Sequence, residues 1–291
     1  MRRGFAKFIL CITITGLLVL SGFGLVGRMD FGKEAFYTGK ALVLLYHDVR
    51  PEGAGANDPL TVSAGQFEEH MRMLRDRGFR VIEMDRFVRF MLNGGSLPPN
   101  AVVVTFDDGY ENFYEAAFPI LKRYGMTASN FIVGISSDLF DPEADPHLTW
   151  DQMREMKKHG MGFYSHTYHS HRTVPTDRGD FSQPALTARM YVSKHRQPES
   201  VSDHQKRIFS DLAFMEKRFR EELGDQRSLL AFPYGAYDET VLEEGERAGI
   251  ELFFSTEEGS NTPGSRIVKR INAGEPYMSA ASLWSRLEPF F

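Results

Sequence analysis

Four short polar clusters each follow an apolar run of the chain. They are Tyr46-His47-Asp48-Val49, Thr105-Phe106-Asp107-Asp108-Gly109, Ser165-His166-Thr167-Tyr168-His169-Ser170-His171 and Phe232-Pro233-Tyr234-Gly235. Adjacent carboxylates repel, so burying Asp107 beside Asp108 is costly unless a cation or a shared proton offsets the repulsion. Just past a strand neighbouring side chains can diverge, one to ligate a metal and the other to face its water; the plain alternative is an Asp-Gly turn into a helix. Three of the nine histidines fall between positions 166 and 171. Two neutral imidazoles and one carboxylate, with open positions for water, form a common catalytic metal set. His166 is one candidate imidazole; His171 and His169 compete for the second, because spacing alone does not separate them. His47 could act as a general acid, a role an imidazole suits near neutral pH, against the plainer role of a hydrogen-bonded histidine at a barrel rim. The 232–235 cluster is a turn by composition, and its chemical use would be a backbone N–H, that of Tyr234, aimed at a developing oxyanion.

These groups need a frame that gathers them. Short β-branched or aromatic runs at 41–46, 79–82, 101–106, 128–133, 162–165, 228–232 and 251–255 alternate with helical patterns at 64–77, 84–92, 111–124, 149–159, 203–223 and 237–248. Ile208, Leu212, Met215 and Phe219 recur at spacings of three and four, an amphipathic face, with Asp203 a candidate cap at its start and Gly224 a stop. Strand–helix alternation argues for an α/β fold with a parallel sheet covered by helices. Runs such as Val102-Val103-Val104 are apolar without alternation, as strands buried on both faces are. A closed (β/α) barrel of about seven strands is the first expectation and an open doubly wound sheet the second. In either, catalytic groups collect at the carboxyl ends of the strands, where all four clusters fall.

The chain has 291 residues, a formal charge of −5 and ordinary globular composition, which gives no sign of nucleic-acid binding. Arg2, Arg3 and Lys7 precede an uncharged stretch from Phe8 to Gly27. A basic head and an apolar run mark an export signal, and the run is also long enough to span a bilayer. Residues 1–28 are therefore expected to be a signal peptide or an uncleaved anchor, 29–40 a linker and 41–291 one catalytic domain. Arg2, Arg3, Lys7 and Arg28 all precede the first acidic residue, so removing 1–28 takes the charge from −5 to −9. The single cysteine, Cys11, lies inside the apolar run, which leaves residues 29–291 without a possible disulfide. Residues 172–201 lack a period and are expected to form a long loop.

Together the four clusters resemble the polysaccharide deacetylases of carbohydrate esterase family four, over roughly 41–271. Thr105-Phe106-Asp107-Asp108-Gly109 matches the family's first motif letter for letter. The resemblance implies a distorted (β/α) barrel, Asp107 as catalytic base and Asp108 as metal ligand. The family's second motif spaces its histidines four apart, whereas position 170 here is Ser and His171 lies five from His166. That spacing, with Tyr46-His47-Asp48-Val49 upstream, is similar to the branch that deacetylates poly-β-1,6-N-acetyl-D-glucosamine of biofilm matrices; in that branch His47 is the expected acid and Asp108, His166 and His171 the ligands. Two departures stand out. The arginine that orients the base in the third motif is replaced by Ala231, and the C-terminal Leu-x-His is missing, with Val268-Lys269-Arg270 in its region. In a closed barrel the first and last strands are neighbours, so His47 can replace that histidine.

The expected reaction is thus N-deacetylation of an extracellular N-acetylglucosamine polymer by a secreted or membrane-anchored monomer holding one divalent ion, zinc first, with cobalt and nickel also suited. A peptidoglycan or chitin deacetylase would share these residues. A two-carboxylate glycosidase has no need of the histidines, and a sugar-binding protein without activity should have lost the base or a ligand. Phe181, Leu186, Met190, Tyr191 and Val192, interleaved with Arg178, Arg189, Lys194, His195 and Arg196, fit either contact with an anionic membrane surface or a loop folded back on the barrel or over the sugar groove.

Overall fold

A computed structural model describes residues 36–52, 58–179 and 181–291. The expected signal or anchor at 1–28, and the linker up to 35, lie outside the described residues.

Eight short strands carry the frame: β1 (Leu42–Tyr46), β2 (Ala101–Phe106), β3 (Ser129–Ile132), β4 (Gly162–Ser165), β5 (Leu229–Ala231), β6 (Leu252–Phe254), β7 (Ile267–Val268) and β8 (Ile271–Asn272). They lie in the order β7-β6-β5-β4-β3-β2-β1-β8, every neighbouring pair parallel, with a short strand Arg80–Val81 beside the start of β2. The two ends of that order are one piece of chain. Ile267 and Val268 pair with Phe253 and Phe254, and after only Lys269 and Arg270 the same segment pairs Ile271 and Asn272 with Leu44 and Leu45. Asn261 holds the crossing, accepting the Lys269 N–H at 2.8 Å and donating to the Lys269 carbonyl at 2.9 Å. The sheet is therefore a distorted parallel barrel of seven staves, the seventh bent across the seam.

Alternate residues of the staves enter two different cores. Val43, Val103, Phe131, Tyr164, Ala231 and Phe254 form one cluster, with Phe87, Phe90 and Met91 of helix α2 (Met84–Asn93) packed into it. Leu42, Leu44, Val102, Val104 and Phe163 face the other way, onto Phe67, Met71 and Leu74 of α1 (Ala64–Asp76) and Met215 and Phe219 of a long helix introduced below. Strands apolar on both faces are thus what this double burial requires.

The helices α3 (Phe118–Tyr124), α4 (Trp150–Lys157), α5 (Val201–Leu223), α6 (Glu239–Arg247) and α7 (Ala280–Leu287) complete the shell. The helix expected over 111–124 runs from Phe113 to Tyr124, but its first part, Phe113–Ala117, is wound as a π-helix and passes directly into α3, where Pro119 has no N–H to donate. The cap of α5 is Ser200, not Asp203; the Ser200 hydroxyl accepts the Asp203 N–H at 3.1 Å, and the helix starts earlier than its periodicity suggested. Nor is 172–201 a structureless loop. It holds two antiparallel ribbons, Thr173–Pro175 with Ser182–Pro184 and Tyr191–Val192 with Gln197–Pro198. Leu186 is buried against Ile208 and Leu212 of α5, so it is not available to a membrane; Phe181 is exposed. Among the described residues no helix is long and apolar enough to cross a membrane.

Candidate metal and catalytic site

All the residues singled out above for chemistry sit at the carboxyl edge of the barrel: His47 after β1, Asp107 and Asp108 after β2, His166 after β4 and Tyr234 after β5. Three non-glycine residues on this edge have left-handed backbones, Asp108 (φ 72°), Thr167 (φ 72°) and Tyr234 (φ 58°). Such conformations cost on the order of 1–3 kcal/mol each and persist where the surroundings over-determine them. At Asp108 the turn sends two neighbouring carboxylates apart. Gly109 follows at φ 78°, where a Cβ would meet the Ile132 side chain at 3.0 Å.

Asp108 faces the histidines. Its Oδ1 is buried, without a hydrogen-bond partner, and lies 3.4 Å from His166 Nε2 and 3.2 Å from His171 Nε2. A tetrahedral ion bound at about 2.0–2.1 Å separates its ligand atoms by about 3.3 Å, so the three donors fit one small divalent cation. The far nitrogen of His166 supports this: Nδ1–H donates to the Ala231 carbonyl at 2.8 Å, which leaves the Nε2 lone pair toward Asp108. The Asp108, His166 and His171 donor atoms form a group that could hold an ion. His169 is not in it; its side chain is exposed. The choice between His169 and His171 thus falls to His171 in the geometry.

Asp107 turns to the other side and meets a residue the sequence reading passed over. Arg270, in the seam between β7 and β8 and fully buried, donates from Nη1 and Nη2 to the two Asp107 oxygens at 2.7 and 2.8 Å. Its Nε donates to the Ser255 carbonyl at 2.8 Å, and its guanidinium lies over the Phe131 ring. The contact expected from an arginine at position 231 is made from position 270. Burial pushes the Asp107 carboxyl upward, but the charges of Arg270 and His166 and the Arg270 hydrogen bonds outweigh it and hold the carboxyl below its ordinary range. Asp108 is likewise held well below that range, its burial outweighed by His166 and His171.

His47 stands just after the first stave with its Nδ1 buried and unpartnered. Burial pushes its pKa below the ordinary imidazole value, against the opposing pull of Asp107 and Asp108. The barrel seam is close by: a Cβ at Gly274, just past β8, would come within 3.1 Å of Tyr46 Cα and 3.5 Å of the His47 nitrogen. In the 232–235 turn the hydrogen bonds run from the Gly235 and Ala236 N–H groups to Phe232 and Pro233, and the Tyr234 N–H has no partner among the described residues. The Tyr234 ring packs 4.8 Å from that of His171.

A cavity of about 230 Å³ opens beside this cluster, lined by Asp108, Tyr110, His147, His169, His171 and Arg172 among others. A larger one, about 920 Å³, shares Ile135, Ser136 and His147 with it and carries the fully outward Phe140. The two cavities thus adjoin at Ile135, Ser136 and His147, and the smaller one reaches Asp108 and His171. A third cavity, at the Ser129 and Gly162 ends of β3 and β4, holds none of these groups.

A parallel barrel with this ligand set at its carboxyl edge has the build of a hydrolase barrel. The polysaccharide deacetylase family matches residues 94–253, more than half of the chain, and the chain belongs to that family. It is similar to the poly-β-1,6-N-acetyl-D-glucosamine N-deacetylase of Staphylococcus aureus (strain MRSA252), 26% identical over 245 residues that cover 80% of this chain and 78% of that protein. It is also similar to the enzyme of the same name from Escherichia coli (strain K12), 27% identical over 231 residues, 75% of this chain but 34% of that protein; the chain spans about a third of its length. Among solved structures, the de-N-acetylase from Aggregatibacter actinomycetemcomitans superposes with a TM-score of 0.75 at 26% identity, covering 85% of this chain and all of that one.

Proposed function

We propose that the protein hydrolyses the N-acetyl groups of poly-β-1,6-N-acetyl-D-glucosamine with one divalent ion, preferably zinc, held by Asp108, His166 and His171. The observation that carries this is the division of labour between two adjacent aspartates: Asp108 Oδ1 points between two imidazole nitrogens, while Asp107 is clamped to Arg270. The linkage preference rests on the relatives of that name and on His47, whose place just after β1 would stand in for a C-terminal histidine.

Asp108, His166 and His171 would hold the ion, which when bound would supply Lewis acidity toward a water and the acetyl carbonyl. Asp107, kept ionised by Arg270, accepts the water's proton as the oxygen attacks the carbonyl carbon. The Tyr234 N–H faces the oxyanion that develops. Protonated His47 donates to the nitrogen as the C–N bond breaks, because an amine leaves poorly until protonated. The products are acetate and a free amino sugar. The groove past Ile135 and Ser136 takes the neighbouring sugar units, with Phe140 as an apolar surface for a ring. Acetate release from a defined β-1,6-linked N-acetylglucosamine pentasaccharide tests the proposal; release only from chitin or peptidoglycan fragments would reassign the substrate.

The polymer lies outside the cell, and the basic head and apolar run at 2–27 support export or anchoring on that side. Cleavage of the domain by protease added to intact cells is expected. Phe181, Lys194, His195 and Arg196 are exposed and Tyr191 and Val192 half-buried, so these residues keep the membrane-contact expectation for 172–201, while the buried Leu186 takes no part in it.

A further inference from the structure

His166 and His171 stand five residues apart, and one side chain from elsewhere in the fold holds the backbone between them. Asp211, on α5, accepts the Tyr168 N–H on Oδ1 at 2.8 Å, and on Oδ2 the His169 N–H at 2.9 Å and the Ser170 hydroxyl at 3.0 Å. Three consecutive residues of the connection are thereby tied to a single carboxylate. The start of the connection is fixed as well. Thr167 adopts φ 72°, which a β-branched residue rarely does, with its N–H donated to Ser165 Oγ at 3.1 Å and its carbonyl accepting the Gly134 N–H at 3.0 Å.

The consequence is a choice of ligand. With residues 168–170 drawn onto Asp211, His169 faces solvent, while His171 emerges with its ring 4.7 Å from that of His166. A connection one residue longer than a four-residue spacing has more conformations available, and each lost on binding an ion weakens the site. A carboxylate that takes both N–H groups and the hydroxyl removes that freedom before the ion arrives, and charged acceptors make the stronger hydrogen bonds. Ala or Asn at position 211 would leave at least one of these three donors without its partner.

We propose that Asp211 is a positioning residue that selects His171 over His169 as the second imidazole ligand and so sets the affinity of the site for its metal. The proposal rests on the metal-site reading above. Its test compares wild-type protein with Asp211→Asn and Asp211→Ala in three measurements: zinc affinity, the visible absorption of the cobalt-loaded protein, and hydrogen exchange of the Tyr168 and His169 amides without metal. Zinc binding should weaken roughly 10-fold in Asp211→Asn and roughly 100-fold in Asp211→Ala, the range found for outer partners of metal ligands. The cobalt spectrum should change and both amides should exchange faster. If Asp211→Ala does not fold, the nearly isosteric Asp211→Asn carries the comparison. Wild-type zinc affinity with an unchanged cobalt spectrum in Asp211→Asn overturns the proposal. A wild-type protein that binds no zinc overturns the metal reading instead, and the amide exchange then decides: unchanged rates in Asp211→Asn overturn the positioning role too.

Discussion

Arg270 and Asp107 meet as a two-pronged ion pair, guanidinium to carboxylate at 2.7 and 2.8 Å, inside a barrel seam where the arginine has no solvent contact. The pair joins the bend that closes the barrel to the proposed base, so fold and chemistry share it. Removing one partner of a buried pair leaves an uncompensated charge, and Arg270→Met is expected to cost about 3–5 kcal/mol of stability by denaturant unfolding. It should also raise the Asp107 pKa and move the acidic limb of the kcat/KM profile to higher pH. The sign for stability follows from the depressed folded pKa. The pair's contribution is present above the unfolded carboxyl value and is lost as pH falls through the folded one. Acid unfolding of Arg270→Met should therefore be less steep than that of wild type.

Asp108→Ala and His171→Ala should each lose stoichiometric metal while keeping the far-UV circular dichroism of the wild type. His169→Ala should keep it, because that ring faces solvent. Metal analysis of the purified variants checks this; loss of metal in His169→Ala with retention in His171→Ala would reverse the assignment.

His47 as acid predicts a split between substrates. His47→Asn should lower turnover of the acetamide roughly a hundred- to ten-thousand-fold, the usual contribution of a general acid, and hydrolysis of an activated acetate ester far less. The group is needed protonated and burial lowers its pKa, so the wild-type alkaline limb should fall below the ordinary imidazole value of about 6.5 and be absent in His47→Asn. Equal losses on both substrates would make His47 a structural residue.

The groove predicts length dependence. Phe140 is 90% exposed and lines the larger cavity. Phe140→Ala should raise KM for a pentasaccharide about fivefold, equal to about 1 kcal/mol, and leave the small ester unchanged. Initial rates on the two substrates decide it.

Much of the frame was legible because staves such as β1 and β2 are buried on both faces and so are written as nearly continuous apolar runs. The expected strands at 101–106 and 162–165 coincide with β2 and β4. The π-helical turn before Pro119 and the cap at Ser200 were less legible, since hydrophobic period carries no information on how a helix is wound at its start or where it starts. The ribbons within 172–201 are only two or three residues long per strand, too short for any period to show. In the site, Asp107, Asp108 and the histidines announced themselves by proximity in sequence. Arg270 did not, because its partner is 163 residues away and a Lys-Arg pair after an apolar dipeptide looks like a solvated strand end. Nor could Asp211, on the polar side of the amphipathic pattern, be told from a surface acid.

The central claim is that Asp108, His166 and His171 bind one divalent ion that is required for acetate release, with Asp107 as the base. The most direct measurement is acetate release from the β-1,6-linked pentasaccharide by wild type, by chelator-stripped protein, and by the same protein after titration with zinc, with Asp107→Asn alongside. The account predicts no release from stripped protein, full recovery at one zinc per chain, and metal-replete but inactive Asp107→Asn. Undiminished release from stripped protein, or wild-type turnover by Asp107→Asn with deamidation excluded, would contradict it.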